Sequence, residues 1–194
     1  QSVSITLEVS YNDWCVAQMA KELGFNDDYE HFSNRSTYYQ NLFDANIGFF
    51  RAKDSDGKWL EPFSPLKYGG NGGYPFTEGN AWQYSMFVPH DINGLIDLMG
   101  GEEKMEAWLD ACFNQKTSVD EMPSGDVTGL IGQYAHGNEP SHHMAWLYNF
   151  TGKPARSQEI VAKILSTLYS DKPDGLCGND DAGQMSAWYI FGSL

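Results

Sequence analysis

Apolar side chains recur at three- and four-residue intervals along most of the chain, in segments bounded by glycine, proline or short polar stretches. This spacing places the apolar residues on one face of an α-helix. It predicts about seven helices, at roughly 5–23, 27–43, 81–99, 102–112, 140–152, 154–168 and 182–194, with Pro89 breaking the third. The short connections favour helix pairs. We therefore expect an all-α single domain over residues 1–194, either a bundle or part of an (α/α) barrel.

The helical spacing stops between Phe43 and Glu78. Residues 49–51 and 58–60 flank Asp56 and Gly57, a favoured two-residue hairpin turn, which predicts a small β-hairpin or a long loop inserted among the helices. A glycine-rich run at 69–75 predicts an irregular loop, and long loops of compact domains often carry function. A plain connector is the alternative explanation of that run.

The charge of the chain limits its partners. Its 194 residues include 12 Lys and Arg against 26 Asp and Glu, a formal net charge of -14, which argues against nucleic acids and anionic membranes as partners.

No apolar run approaches the roughly 18 residues of a membrane span. The three cysteines are too scattered for a disulfide framework and lack zinc-finger spacing. Nothing in the sequence indicates an oligomeric state.

Three dense polar clusters stand just before the predicted third, fifth and seventh helices, at residues 77–82, 136–143 and 178–184. In a domain built from helical hairpins, alternate helices run in the same direction. We therefore expect the N-terminal ends of these three helices to open on one face, where the clusters would meet.

The acidic residues of the clusters suggest acid–base chemistry. Glycoside cleavage needs one protonated carboxyl group for the leaving oxygen and one ionised carboxylate that activates water or attacks carbon. Glu78 and either Asp180 or Asp181 fit these roles. Acidic residues before helices are also common caps, and capping is the favoured explanation of any one cluster taken alone. Three such clusters on one face, mixed with glycine, amide, aromatic and histidine residues, exceed what capping requires and favour a joint site.

The same clusters contain oxygen ligands of the kind that calcium prefers. These are carried by Asn138, Glu139, Asp180 and Asp181. Zinc would instead need the histidines at positions 136, 142 and 143. Adjacent histidines on a helix point about 100° apart, and no His-x-x-x-His spacing joins them. We therefore expect calcium and not zinc.

Aromatic residues occur in or beside the predicted loops, where flat rings can stack on sugar faces. They are Trp59, Tyr74, Trp82 and Tyr134. Their position favours the barrel over the bundle. Other tryptophans stand at helical spacing typical of a core, namely Trp108, Trp146 and Trp188.

Longer strings in the clusters resemble glycoside hydrolase family 92, in order and at suitable spacing. They read TEGNAWQY at 77–84 with VPHD at 88–91, GQYAHGNEPSHH at 132–143, and GNDDAGQMSAWY at 178–189. The resemblance covers nearly the whole chain and is far more specific than an isolated glycine motif. It implies an exo-acting, inverting, calcium-dependent α-mannosidase that acts on mannose-containing oligosaccharides. It also implies an (α/α)6 barrel preceded by a β-sandwich.

Carried over by position, the resemblance implies that Glu78 is the general acid and Asp181 the general base, with Asp180 as the alternative base. Asn138, Glu139 and Asp181 become the calcium environment. Inversion requires the acid and base carboxyls roughly 6.5 to 9.5 Å apart, and calcium would grip the sugar 2- and 3-hydroxyls. The remaining candidate sugar contacts are Asn80, Trp82, Tyr134, His136, His142, His143 and Gln184.

Two departures from the family pattern bear on specificity. Tyr134-Ala135 differs from the His-Glu pair of α-1,2-specific members, and Asn179 stands where some members carry aspartate. The linkage, α-1,2 or another α linkage in N-glycan-type mannosides, therefore stays open.

Seven helices make about half of a twelve-helix barrel, and the chain contains no β-sandwich. We therefore expect a fragment of a catalytic domain, weak or inactive by itself, from a bacterial protein that is periplasmic or extracellular. The alternative is a non-catalytic helical module that binds carbohydrate or calcium. Binding alone would not need the pair of Glu78 and Asp181.

Overall fold

A computed structural model describes residues 2–69, 74–116 and 127–194. The chain divides into two compact units, Gln1–Met99 and Gly100–Leu194, and helices dominate both. The expected helix-rich fold with a small β insertion is confirmed. Residues 70–73 of the predicted glycine-rich loop lie outside the described ranges. Within those ranges, no helix combines the length and the apolar character that crossing a bilayer requires.

Two consecutive helices, α1 (Val3–Glu22) and α2 (Asn26–Arg35), pack together in the first unit. Gly24 lies between them with a φ of +78°, a left-handed conformation that glycine adopts without steric cost. A 3.0 Å ion pair between Arg35 and Asp13 joins the two helices. The predicted pair of helices is thus confirmed.

The apolar stripe that predicted α1 is largely exposed in this structure. Its exposed members are Ile5, Val9, Val16 and Met19. The helix instead buries residues on another face, namely Val3, Leu7, Ala17 and Ala20. The spacing therefore identified the helix but not the side that it buries here.

Helix α2 ends at Arg35, earlier than the predicted residue 43, because hydroxyl side chains compete for its last carbonyls. Ser36 Oγ donates to the Ser33 carbonyl at 2.7 Å, and Thr37 Oγ1 donates to the Asn34 carbonyl at 2.8 Å. Such bonds offer the backbone an alternative to the helix.

After α2 the chain forms short elements. They are a 3₁₀ helix (Tyr38–Leu42), β1 (Phe43–Asp44), β2 (Phe49–Phe50), α3 (Ala81–Tyr84) and α4 (Ile92–Met99). Strands β1 and β2 are antiparallel, with Phe43 opposite Phe50, so the hairpin turns at residues 45–48. The predicted turn at 56–57 closes only one bridge, between Lys53 and Trp59. The predicted third helix is split into α3 and α4, with Pro89 between them.

The second unit contains three α-helices, α5 (Glu102–Asn114), α6 (Pro154–Leu168) and α7 (Gln184–Ser193). The predicted fifth helix is instead two 3₁₀ helices, Glu139–Ser141 and Met144–Thr151. A carboxylate connects these elements, because Asp110 Oδ1 accepts from the Tyr148 hydroxyl and from Arg156, each at 2.9 Å.

A second hairpin, absent from the sequence prediction, joins β3 (Leu130–Ile131) to β4 (Tyr134–Ala135). Its turn has Gly132 at the first central position with a φ of +63°, which fits a type II′ turn. The next amide, of Gln133, donates to the Cys112 carbonyl at 2.8 Å and so anchors the hairpin on α5. This hairpin leads directly into the second polar cluster.

Candidate active site

The first unit holds three of the predicted site residues, Glu78, Asn80 and Trp82, and the second unit holds the others. Glu78 lies in the loop before α3 with a φ of +50°. A non-glycine residue in this region costs roughly 1–3 kcal/mol and persists only where its surroundings enforce it. Here the backbone of Gly79 pairs with that of Gly69 at 2.9 and 3.2 Å, which fixes one side of Glu78.

The N-terminus of α1 fixes the other side of Glu78. The Val3 amide donates to the Pro75 carbonyl at 2.8 Å, and the Thr77 amide donates to Ser4 Oγ at 3.1 Å. The strained loop is therefore held by hydrogen bonds before and after the carboxylate-bearing residue.

Asn80 caps α3. Its Oδ1 accepts from the Trp82 amide at 2.9 Å and from the Gln83 amide at 3.3 Å, while Gln83 Oε1 accepts from the Asn80 amide at 2.8 Å. These bonds form a capping box. The Trp82 ring meets Phe49 edge-on at 4.8 Å and is 9% exposed. Direct sugar contact by Asn80 and Trp82 thus stays a prediction beside these structural roles.

Tyr84 lies within range of the charge of Glu78 and contacts a second carboxylate that the sequence did not single out. The Tyr84 hydroxyl donates to Glu8 Oε1 at 3.2 Å. Burial raises the pKa of Tyr84 above its ordinary value, and the negative charges of Glu8 and Glu78 raise it further. Glu78 therefore lies near a phenol that stays protonated and can only act as a neutral hydrogen-bonding group.

His136 is fully buried in the second unit. Its Nδ1 lies 2.6 Å from the Tyr134 hydroxyl, and its Nε2 lies 2.6 Å from the Tyr169 hydroxyl. Burial, followed by the neighbouring His142, lowers the pKa of His136 to about 3. The ring is therefore neutral, with one N–H donor and one acceptor. Tyr134 is also fully buried. Sugar contact by Tyr134 and His136 stays a prediction, and neither side chain has exposed surface in this structure.

His142 joins the second polar cluster to the third. Its Nε2 lies 2.8 Å from the His136 carbonyl oxygen, which only accepts, so Nε2 carries the proton. Its Nδ1 then accepts from Gln184 Nε2 at 3.2 Å, and its own carbonyl accepts from Trp188 Nε1 at 3.0 Å. Because Gln184 and Trp188 belong to α7, the ring and backbone of His142 tie residues 136–142 to that helix.

The two glycines that flank these clusters bring their backbones into contact. A Cβ atom on Gly178 would lie 2.8 Å from Thr128 Oγ1 and 3.2 Å from the Gly137 Cα. A Cβ on Gly137 would also collide with Thr128. A side chain at either position would crowd its neighbours, and the short distance between Gly137 and Gly178 shows that clusters two and three adjoin, as the sequence predicted.

Glu139 and Asp181 are exposed, and both lie close enough to His142 for their charges to raise its pKa. Burial has the larger effect and lowers the pKa of His142. Asn138, beside Glu139, is buried. His143 is partly exposed and precedes the second 3₁₀ helix. Glu139 and Asp181 thus both lie near the His142 ring, and Asn138 directly precedes Glu139 in the sequence.

Asp180 and Asp181 differ sharply in their environments. Asp180 Oδ1 accepts from the Ser186 amide and hydroxyl, each at 2.9 Å, so this carboxylate binds the first turn of α7. Asp181 has a φ of +48°, and the next residue, Ala182, has a φ of +57°. Gly183 completes a left-handed turn with a φ of +99°. The turn presents Asp181 as an exposed carboxylate immediately before the helix.

Calcium binding at this region stays a prediction, which the side chains present can be compared with. His136 and His142 have both ring nitrogens engaged in hydrogen bonds, so neither offers nitrogen to a metal. Across the described ranges, no group of three or more His, Cys, Asp and Glu side chains could hold a metal ion. Asn138, Glu139 and Asp181 carry oxygen atoms of the kind that calcium takes, and calcium accepts water among its six to eight ligands.

The model of the glycosyl hydrolase family 92 catalytic domain matches residues 1–194, the whole chain. The chain belongs to glycoside hydrolase family 92. A family 92 α-mannosidase of Bacteroides thetaiotaomicron, solved in complex with mannoimidazole, is 45% identical over 98% of the chain, with a TM-score of 0.91. A family 92 inverting mannosidase from B. thetaiotaomicron VPI-5482 is 36% identical over 99% of the chain, with a TM-score of 0.83.

A family relative is also known from Arthroderma benhamiae, where an uncharacterized secreted glycosidase is 30% identical over 216 residues, covering 100% of this chain. The chain spans only about a quarter of the length of these family 92 relatives, between 25% and 27%. The comparisons confirm the expected family and its helix-rich fold, and they identify the chain as part of a glycosidase catalytic domain.

Proposed function

We propose that the protein carrying this chain hydrolyses terminal α-mannosidic linkages of N-glycan-type mannosides, α-1,2 or another α linkage, with inversion at the anomeric carbon. The observation that carries the proposal is family 92 membership together with 45% identity to an α-mannosidase solved with mannoimidazole. The second mannosidase is an inverting enzyme, which supports inversion here. The secreted relative supports a periplasmic or extracellular location. Because the chain spans a quarter of its relatives, the isolated 194 residues are expected to be weak or inactive.

Glu78 donates a proton to the leaving oxygen in this proposal, and Asp181 accepts a proton from the attacking water. Backbone strain supports both assignments. Within the described ranges, the non-glycine residues with positive φ are Glu78, Asp181 and Ala182. Strained residues cluster at active sites, where the surrounding structure holds a side chain in one place. The two carboxylates chosen from the sequence are thus two of the three residues under this strain.

Asp181 is a better base than Asp180 on structural grounds. The Oδ1 atom of Asp180 already accepts two hydrogen bonds from Ser186, so this carboxylate is engaged with the first turn of α7. Asp181 is exposed, so water can reach it. We therefore propose that Asp180 holds the first turn of α7 through Ser186.

We also propose that Asn138, Glu139 and Asp181 hold a calcium ion. When bound, calcium would supply Lewis-acid polarisation of sugar hydroxyls and help to orient the ring. The contributions of the chain are the oxygen donors and the buried His142, which ties the segment of Glu139 to the segment of Asp181.

The test of the function uses the natural protein that carries these 194 residues, with a panel of α-linked mannobioses. We expect mannose release, with β-mannose as the first anomer seen by proton NMR, because inversion converts an α linkage into a β product. Appearance of α-mannose first would contradict inversion. Sugar binding without turnover on every disaccharide would favour the alternative, a non-catalytic carbohydrate- or calcium-binding module.

Calcium dependence is tested in the same assay after treatment with EDTA. We expect turnover to stop and to return with calcium but not with zinc, because the donors available are oxygens. Calorimetric titration should show calcium affinity reduced by Glu139→Ala, with Glu159→Ala as the matched control, since Glu159 pairs with Arg156 on α6. Full turnover in EDTA, with no calcium binding by calorimetry, would refute the calcium proposal.

A further inference from the structure

A chain of hydrogen bonds crosses the second unit from β4 to α7, and the function proposed so far does not use it. Its members are the hydroxyl of Tyr134, the ring of His136, the hydroxyl of Tyr169 and the carbonyl of Met185. The three distances are 2.6, 2.6 and 3.0 Å. Three of these residues are almost completely buried, and Tyr169 is partly buried.

The direction of every proton in this chain follows from its last member. The Met185 carbonyl can only accept, so the Tyr169 hydroxyl donates to it. The oxygen of Tyr169 then accepts from His136 Nε2–H, which leaves Nδ1 as the acceptor for the Tyr134 hydroxyl. One arrangement of protons satisfies all four groups. It requires a neutral imidazole, which agrees with the burial of the ring.

The last hydrogen bond of this series reaches the segment that carries Asp181. The Met185 amide donates to the Asp180 carbonyl at 3.2 Å, across the left-handed turn at 181–183. The carbonyl of the same residue, Met185, accepts from the Tyr169 hydroxyl. The other bonds at this turn come from within residues 180–187 or from His142. Tyr169, at the end of α6, adds a bond from a separate element.

We propose that Tyr169, supported by His136 and Tyr134, is a positioning residue that holds the first turn of α7 and thereby keeps Asp181 in its strained, catalytic orientation. This inference rests on the proposed role of Asp181 as the base. The Tyr169 hydroxyl does not touch the reacting atoms in this account. Its contribution is to fix the backbone that carries the base.

The test is Tyr169→Phe in the natural protein that carries this chain. The change removes one oxygen and keeps the ring, which stacks on Trp188 at 6.2 Å. We expect kcat for mannobiose to fall on the order of tenfold with KM unchanged, because a shift of about 1 Å can cost roughly 10²-fold. Amide hydrogen exchange at residues 183–187 should rise about tenfold, while exchange in α5 stays the same.

Tyr189→Phe is the matched control, because Tyr189 lies on α7, the helix that Tyr169 contacts, has its ring centroid 5.0 Å from that of Tyr169 and is exposed. Its kcat and its exchange should stay within about twofold of the natural protein. A Tyr169→Phe variant with unchanged kcat and unchanged exchange at 183–187 overturns the proposal. Faster exchange throughout the second unit, with kcat and KM both altered, also overturns it, since that pattern reports general destabilisation.

Asp181→Asn, measured beside these variants, separates failure of this inference from failure of the proposed function. If Asp181→Asn is inactive and Tyr169→Phe behaves as the natural protein, the base stands and the positioning role is wrong. If Asp181→Asn keeps full activity, the proposed base is wrong, and the catalytic part of this inference falls with it.

Discussion

Asp181→Asn is expected to lower kcat for mannobiose hydrolysis roughly 10²- to 10⁴-fold, the range typical of a lost general base. Asparagine has the same shape as aspartate but cannot take a proton from the attacking water. It also tolerates left-handed backbone, so the φ of +48° at this position should survive the change. The measurement is kcat and KM by mannose release, together with a thermal melt that we expect to stay unchanged.

Asp180→Asn is the matched control for this prediction, because the amide keeps an oxygen that can accept from the Ser186 amide and hydroxyl. We expect its kcat to remain within about tenfold of the natural protein, with a small loss of stability from the weaker hydrogen bonds. Asp181 is also a proposed calcium ligand, so both variants are assayed over a calcium titration. Recovery of Asp181→Asn at high calcium, or inactivity of Asp180→Asn alone, would contradict the assignment of Asp181 as base.

The helices of this chain were predictable where local signals were strong. Helix α6 begins at Pro154, which suits a first helical turn, and α1 and α5 follow regular apolar spacing. The fifth predicted helix failed because apolar spacing does not distinguish an α-helix from consecutive 3₁₀ turns. The β3–β4 hairpin was missed because its strands are two residues long and its turn signal is a single glycine, Gly132.

The meeting of clusters two and three was predictable from the sequence, but the particular side-chain contacts between them were not. Capping, the alternative that the sequence left open for each cluster, is what Asn80 does before α3, and a cap contacts residues close by in sequence. Nothing in the sequence indicated the contact between Tyr169 and His136, because the two residues are 33 positions apart and do not belong to one motif. The contact of Gly137 with Gly178 is also long-range. Each depends on how separate elements pack.

Glu78→Gln is expected to lower kcat/KM for mannobiose roughly 10²- to 10⁴-fold, because glutamine cannot donate a full proton to the departing sugar oxygen. An aryl mannoside with a strongly acidic phenol leaves without protonation, so its hydrolysis should fall by less than about tenfold. The ratio of the two losses is the measurement. A large loss on the sugar substrate with a small loss on the aryl substrate identifies a general acid, since a binding residue would affect both.

Glu8→Gln is the matched control, because Glu8 is the other carboxylate near the Tyr84 hydroxyl and an amide oxygen can still accept its hydrogen bond at 3.2 Å. Its rates on both substrates should stay within about twofold of the natural protein. Equal losses on both substrates in Glu78→Gln would mean that Glu78 acts in sugar binding or in holding its strained loop. In that case the φ of +50° at this residue would reflect loop closure by Gly69 and Gly79, and the general acid would have to be sought among other carboxyl groups.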